Sequence, residues 1–558
     1  MHCKSGVVGL TFLILGQAAM ANDDTIRVIV KYKEPVSTLT ALQTQLSKST
    51  HLAIQALTPM AGGAYVVSFS IRGAQQSKNG VSTLDSVLQD LRKNEHVAYA
   101  VEDRVGRIQP LPTLKIEDLA DKLLSHDTQW DEFAAPGGIM LESAPYRHDG
   151  AWAHTTGKSA KPIVIAVLDT GVALNDSLVN NLVKDKQDNV WGWNFAANNR
   201  DISDETASYH GTHVAGTIAG YGDVMLGVGE DLKILPVKIP DGSGMFYESQ
   251  VINAIYWSVG GEVPGVPNNP YPAKVLNMSF GVDERPGKEI DHCDEALQEA
   301  LFYAREQGAV IAVAAGNDNR WEHYNAPAVC NGTIKVASTG PAGLRAYYSN
   351  YGPTVSFAAP GGDLRYGRKG GILSTVNPGG GYLNSGFDFY QGTSMASPHV
   401  AGVAGLIFAV RDGRISPESV EQILYATTHA FGKTADENKS CVGKKPCGHG
   451  ILDAENAIKA TMADYDLIIS APRITQLPKE PCRQKGAQSV ITVEQAGQEV
   501  RWITSKTFCG GDVIVKPVQL TTKTGQIIAD YGVMSYRLDD TRFKRCEIIG
   551  FDGIGCYL

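Results

Sequence analysis

The chain has 558 residues, room for three or four domains at about 100–200 residues each. With 43% hydrophobic and 20% charged residues it has a globular composition, which excludes wholesale disorder. A net charge of −9 argues against a nucleic-acid partner, and the only long apolar run is too short for a stable membrane span.

That run, at the N-terminus, reads as a secretory signal over residues 1–21. Lys4 supplies the positive start, residues 6–16 the apolar stretch, and Ala19-Met20-Ala21 the small-x-small cut site. The expectation is a secreted protein, periplasmic during export. The cysteines agree. There are nine, and loss of Cys3 with the signal leaves an even number, which suits disulfides in an oxidising compartment. No CxxC or Cys/His zinc spacing occurs. Partners near in sequence are the readiest to meet, so the expected pairs are Cys293–Cys330, Cys441–Cys447, Cys482–Cys509 and Cys546–Cys556.

Residues 22–110 read as a small α/β unit. Strand patterns at 25–32 and 64–71 accompany helical spacing at 39–47. An amphipathic helix at 81–93 carries Val81, Leu84, Val87, Leu88 and Leu91 on one face, and a strand at 97–101 closes the unit. The stretch Ile108-Gln109-Pro110-Leu111-Pro112 marks a boundary. Residues 111–465 form a second region. Uninterrupted apolar strands at 163–168, 234–238, 275–279, 310–314 and 334–338 alternate there with helical segments such as 249–257 and 294–307. That order predicts a mostly parallel sheet covered on both faces, a three-layer α/β domain. In residues 466–558 the helical signal stops. Strand-like runs at 489–493, 500–504, 512–518 and 526–529, with four of the cysteines, predict a disulfide-stapled β module.

Three motifs end elements of the central region. A buried strand runs into Asp169-Thr170-Gly171. A helix opens with His210-Gly211-Thr212-His213-Val214-Ala215-Gly216. A small, apolar helix opens in Gly392-Thr393-Ser394-Met395-Ala396-Ser397-Pro398-His399. Alone, each fits a bland role: a turn aspartate, a surface histidine, a capping serine. The HExxH zinc pattern is absent, and Ala396 stands where the elbow of an α/β-hydrolase esterase needs glycine. Together, an Asp, a His and a Ser in this chain order match one known solution to serine-nucleophile catalysis.

On these motifs, and on Ala314-Ala315-Gly316-Asn317 after a further buried strand, residues 145–460 resemble the subtilisin-like serine proteases, or subtilases. The resemblance implies Ser394 as nucleophile, His213 as general base, Asp169 as its orienting carboxylate and Asn317 as an oxyanion donor. His210 is assigned to the variable flank, and Ser397 and His399 to helix packing. Two edge segments, Gly242-Ser243-Gly244 and Ser279-Phe280-Gly281, would take a substrate backbone between them as an added strand. Ala314, Ala315 and Gly316 would line a roomy, uncharged pocket for a large apolar residue before the scissile bond. Residues 22–110 resemble an inhibitory propeptide, which would act as an intramolecular inhibitor and be removed by self-cleavage after about 105–125. Polypeptides are the implied substrates.

No organic cofactor is required. The family's calcium loop is doubtful here, because residues 219–226 are short and Asn175-Asp176-Ser177 replaces the expected aspartate. Asp201, Asp204 and Glu205 offer calcium-type oxygens but read as a solvated loop. The rival reading is a catalytically inactive subtilase scaffold serving as a binding protein or adhesin.

Overall fold

Side-chain alternation decides how the N-terminal unit sits. In a computed structural model of the chain, strand β1 (Thr25–Tyr32) sends Val28 and Val30 to one side and Ile29 to the other. The structure describes residues 25–463 except 37, 72–83, 109–110, 113–124, 135, 283–292, 322–325, 353 and 379–384. Beyond 463 it describes only the backbone of seven strands. The expected signal segment, Cys482 and Cys509 lie outside the described residues.

After β1 come α1 (Leu39–Thr50), β2 (Ala53–Pro59), β3 (Ala64–Ser70), α2 (Leu84–Arg92) and β4 (Val97–Glu102). The four strands form one antiparallel sheet in the order β2-β3-β1-β4. Val28 and Val30 pack under Leu42 and Leu46 of α1 and Leu88 of α2. Ile29, Val66, Tyr99 and Val101 face the other way, into a second core. That second face is apolar, so it needs cover, and the next domain supplies it.

The next domain is built on a parallel sheet. The N-terminal unit ends in β5 (Val105–Arg107), and the elements of this domain are then β6 (Val164–Asp169), β7 (Trp193–Asn194), α3 (His210–Ala219), β8 (Lys233–Lys238), β9 (Met245–Tyr247), α4 (Glu248–Ser258), β10 (Val275–Met278), β11 (Gly281–Val282), α5 (Glu295–Glu306), β12 (Val310–Ala314), β13 (Ile334–Thr339), β14 (Phe357–Pro360), β15 (Ile372–Val376), β16 (Gly386–Tyr390), α6 (Thr393–Val410), α7 (Pro417–Ala426) and α8 (Ala454–Met462). Seven of the strands pair in the order β14-β13-β12-β10-β6-β8-β7, all parallel. Every residue of β6 and β12 is buried, as continuous apolar runs require of a sheet with two covered faces.

One face packs on α3, α6, α7 and α8 and the other on α4 and α5. The second core also takes in Ile29, Met60, Tyr99 and Val101, so the N-terminal sheet lies on α4 and α5 as an added layer. Helix α6 is long and apolar enough to cross a membrane, and it is buried inside this domain.

Two expected disulfides are present. Cys293–Cys330 ties the start of α5 to the turn before β13, and Cys441–Cys447 closes a short loop. Past residue 463, β17 (Arg473–Gln476), β18 (Ser489–Gln495), β19 (Gln498–Thr504), β20 (Val513–Thr521), β21 (Ile527–Arg537), β22 (Arg545–Ile549) and β23 (Gly553–Tyr557) form a five-stranded and a two-stranded sheet. Register sets Cys546 opposite Cys556 across β22 and β23.

Candidate active site

The loops leaving the C-terminal ends of β6, β10 and β12 meet the N-termini of α3 and α6, where ligands gather in open α/β sheets. Asp169 ends β6 with its side chain fully buried. Its Oδ1 accepts the Thr170 N–H at 2.7 Å and pairs with His210 Nδ1 at 2.8 Å. Burial works against charge on the His210 ring, but the Asp169 carboxylate more than offsets it, so this imidazole lies above its ordinary value. Nε2 of His210 is buried without a hydrogen-bond partner among the described residues.

Gly211 explains why it is His210 that meets Asp169. A Cβ there would stand 2.3 Å from Gly171 O, and the Gly211 N–H donates to Thr170 Oγ1 at 2.8 Å. Only a glycine lets the first turn of α3 close onto the turn after β6.

This corrects the expectation for His213. Three residues further on, His213 faces the β15–β16 hairpin. Its Nε2 lies 3.1 Å from both Ile372 O and Asp388 O, and its ring stacks on Tyr390 with centroids 4.3 Å apart. Burial pushes its pKa down to about 3. A neutral ring donating to backbone carbonyls is a packing element, so the histidine beside Asp169 is His210. The signal available in the sequence was the glycine directly after it.

Ser394 opens α6 and is almost wholly buried. Its Oγ donates to Ser279 O at 3.2 Å, while Ser279 Oγ donates to Ser394 O at 3.1 Å. Ser397 Oγ donates to Asn277 Oδ1 at 2.7 Å, tying α6 to the end of β10. His399 donates from Nδ1 to Met395 O at 2.8 Å, with Nε2 3.1 Å from Asp131 Oδ2, which suits the packing role expected of it.

Asn317 follows β12. Its Oδ1 accepts the Thr393 N–H and the Thr393 hydroxyl, each at 2.9 Å. A backbone N–H must have an acceptor, so the amide is fixed with its oxygen toward Thr393 and its Nδ2 donors turned away. Nδ2 lies 3.6 Å from where a Cβ on Gly392 would stand, at the threshold of Ser394.

The cleft beside Ser394 is already filled by a strand. β5 lies antiparallel between β9 and β11, with Arg107 opposite Met245 on one side and Gly281 on the other. Ile108 N–H donates to Gly244 O at 3.0 Å, and Pro112 O accepts from Gln391 Nε2 at 2.7 Å. Of the expected cleft residues, Gly244 and Gly281 touch this strand. Gly242 and Ser243 form the turn ahead of it, with Ser243 N–H on Asp241 Oδ1 at 2.8 Å. Ser279 and Phe280 lead from β10 into β11. Ala315 belongs to a small core with Ala337 and Ala358, leaving Ala314 and Gly316 beside it. The pairing edge Met245–Tyr247 was missed, because three residues carry no readable period.

Comparison with known proteins gives the family. Residues 160–450 match the subtilase family (Peptidase S8). The chain belongs to the subtilase family. An extracellular protease of Xanthomonas campestris pv. campestris is 30% identical over 82% of this subtilase and 78% of its own length. An extracellular basic protease of Dichelobacter nodosus is 28% identical over 81% and 74%. A protease structure from Pseudoalteromonas arctica is 35% identical over 60% of this chain and 98% of its own, with a TM-score of 0.51.

Asp201 and Asp204 do not form the solvated loop expected, since Asp204 is buried and both accept from the protein's own donors. Asp204 is spent at the start of α3, where Oδ2 accepts the Thr212 N–H at 3.1 Å and its hydroxyl at 2.8 Å, and Oδ1 the Thr206 hydroxyl at 2.7 Å. Asp201 Oδ1 accepts from Ser203. Among the described residues no three His, Cys, Asp or Glu side chains gather around one point. The loop 220–226 is held instead by Gln129, which donates to Leu226 O at 2.7 Å and accepts from Leu226 N–H at 2.8 Å.

Proposed function

We propose that this subtilase is a secreted serine endopeptidase that matures by cutting away its own N-terminal unit. The observation that carries the reading is the buried Asp169–His210 pair at the end of β6, with Ser394 and Asn317 at the facing helix start. In this reading Ser394 Oγ attacks the scissile carbonyl. His210 Nε2 takes its proton and passes it to the leaving amine. Asp169 holds Nδ1–H, fixes the tautomer and stabilises the imidazolium. The oxyanion forms against Asn317 Nδ2 and the Ser394 N–H at the positive end of α6. In this reading Ser394 Oγ leaves Ser279 O, and the unpartnered His210 Nε2 is the base that receives its proton.

Two features support the maturation step. Residues 105–107 already lie as a strand in the cleft, as an added substrate strand would. The chain is then held at Ile108 and again at Pro112 by Gln391, three residues before Ser394. The small Ala314 and Gly316 support preference for a large apolar residue before the scissile bond. The apolar start of the sequence and the names of the two extracellular relatives support secretion.

The test is the intact mass of the secreted protein, wild type beside Ser394→Ala, with turnover of a peptide amide. Wild type cut near residue 110, with the variant left whole after signal removal, is the expected result. Equal cutting of both would assign maturation to another protease. A cut wild type that turns over no amide would favour the inactive binding scaffold.

A further inference from the structure

The strand in the cleft shows what the cleft walls accept, and its first contact is ionic. Arg104, just before β5, donates from Nε to Glu248 Oε2 at 2.8 Å and from Nη2 to Glu248 Oε1 at 2.5 Å. The same Nη2 pairs with Asp294 Oδ2. The Arg104 carbonyl accepts the Glu248 N–H at 2.8 Å, so backbone and side chain are read together.

Both carboxylates stand at helix starts. Glu248 is the first residue of α4, with its side chain fully buried. Asp294 caps α5, its Oδ1 accepting the N–H groups of Ala296 and Leu297 at 2.9 Å each. Two helix N-termini thus keep two acids at one point. Among the described residues, Arg104 is the only cation paired with either. On the reading that residues 22–110 are removed, Arg104 leaves with them, and Glu248 and Asp294 lose the one cation that pairs with them among the described residues. Two acids uncovered together in this way attract a replacement cation.

We infer that Glu248 and Asp294 form, in the mature enzyme, an acidic subsite for an arginine side chain of an extended polypeptide substrate. That arginine lies two residues before the position of Gly106 and four before that of Ile108. The inference rests on the peptidase reading above and adds a selectivity remote from the scissile bond. The forked contact to Glu248 favours arginine over lysine, whose ammonium cannot span both oxygens in one plane.

The experiment uses the secreted, self-processed enzyme and quenched peptides beginning Xaa-Val-Gly-Arg-Ile before a common second half, with Xaa as Arg, Lys, Ala or Glu. Expected is a KM for the Arg peptide about tenfold below that for Ala, with kcat alike, Lys between them and Glu poorest. The advantage narrows as salt rises from about 0.05 to about 0.5 M. In Glu248→Gln the Arg/Ala ratio falls toward one. Equal KM values for Arg and Ala in the wild type, at low salt, would overturn the subsite while leaving the peptidase intact. Cleavage of none of the peptides would take down the peptidase reading and the subsite with it.

Discussion

His210 Nδ1 lies 2.8 Å from Asp169 Oδ1, and both side chains are closed off from solvent. In the proposed mechanism a neutral His210 accepts the serine proton, and Asp169 favours the charged ring. The acid limb of kcat/KM therefore falls as pH drops through a value above the ordinary imidazole 6.5. Asp169→Asn removes that attraction, moves the limb to lower pH and lowers kcat by about 10⁴. His210→Ala should abolish turnover. His213→Ala should instead act on stability, by about 2–4 kcal/mol, through its lost carbonyl contacts and its stacking on Tyr390. Denaturant unfolding beside active-site titration separates the two. A dead but fully stable His213→Ala enzyme would reverse the assignment.

Asn317 contributes only if its amide keeps its orientation, and Thr393 sets that orientation. Asn317→Ala should lower kcat by about 10²–10³ with KM little changed, the scale seen when a serine protease loses an oxyanion donor. Thr393→Val keeps the backbone bond to Asn317 Oδ1 but loses the hydroxyl one. Its kcat should fall by about tenfold or less, again with KM steady. Loss confined to KM in either variant would place Asn317 in substrate binding.

The parallel sheet was legible because β6, β10 and β12 are continuous apolar runs between helical stretches, and that pattern has few other solutions. Asp169, Ser394 and Asn317 were legible as candidates through the likeness of their motifs to those of the subtilases, not through any period. The choice between His210 and His213 was not. Both lie in one helix a turn apart, and what decides is the contact of Gly211 with Gly171 O, across a sequence gap no period spans. Nor was Arg104 on Glu248 readable, a pair 144 residues apart. Edge strand β9 has its partner in β5, so its three residues needed no hydrophobic face of their own.

Gly106 sits opposite Val282 and Phe246 in the filled cleft. A Cβ there would stand 2.3 Å from the Phe246 ring and 3.1 Å from Gly281 O. Phe246 cannot yield easily, being buried against Phe280 with ring centroids 5.0 Å apart. Gly106→Leu in a Ser394→Ala background should therefore loosen β5 from the cleft. Trypsin should then cut after Arg107 at least about tenfold faster than in Ser394→Ala alone, as opening of the strand becomes cheaper. Equal cutting rates would mean that this side chain position is open.

The loop 220–226 is fastened by Gln129 to Leu226, and by Tyr221 N–H to Ser177 O at 2.6 Å. Excess chelator should then leave Tm unchanged. Gln129→Ala, which strands both Leu226 backbone groups, should cost about 1–3 kcal/mol. A chelator-induced fall in Tm, restored by calcium, would assign this region a cation instead.

His126 is clamped between two acids, with Nδ1 2.8 Å from Glu132 and Nε2 2.8 Å from Glu142. Burial disfavours its charge, but its hydrogen bonds to the Glu132 and Glu142 carboxylates prevail and raise its pKa to about 9. Burial in turn opposes charge on Glu142, yet His126 and the N–H groups of His148 and Tyr146 hold it below its ordinary value. A histidine raised on folding adds stability that is complete below its unfolded value near 6.5 and is lost as pH climbs through about 9. Unfolding of the Ser394→Ala chain across that range should show a fall in stability toward alkaline pH. His126→Gln should flatten that fall and lower the plateau by about 3–5 kcal/mol, since it leaves two buried acids without their cation. The same alkaline fall in His126→Gln as in its parent would show that the clamp does not carry it.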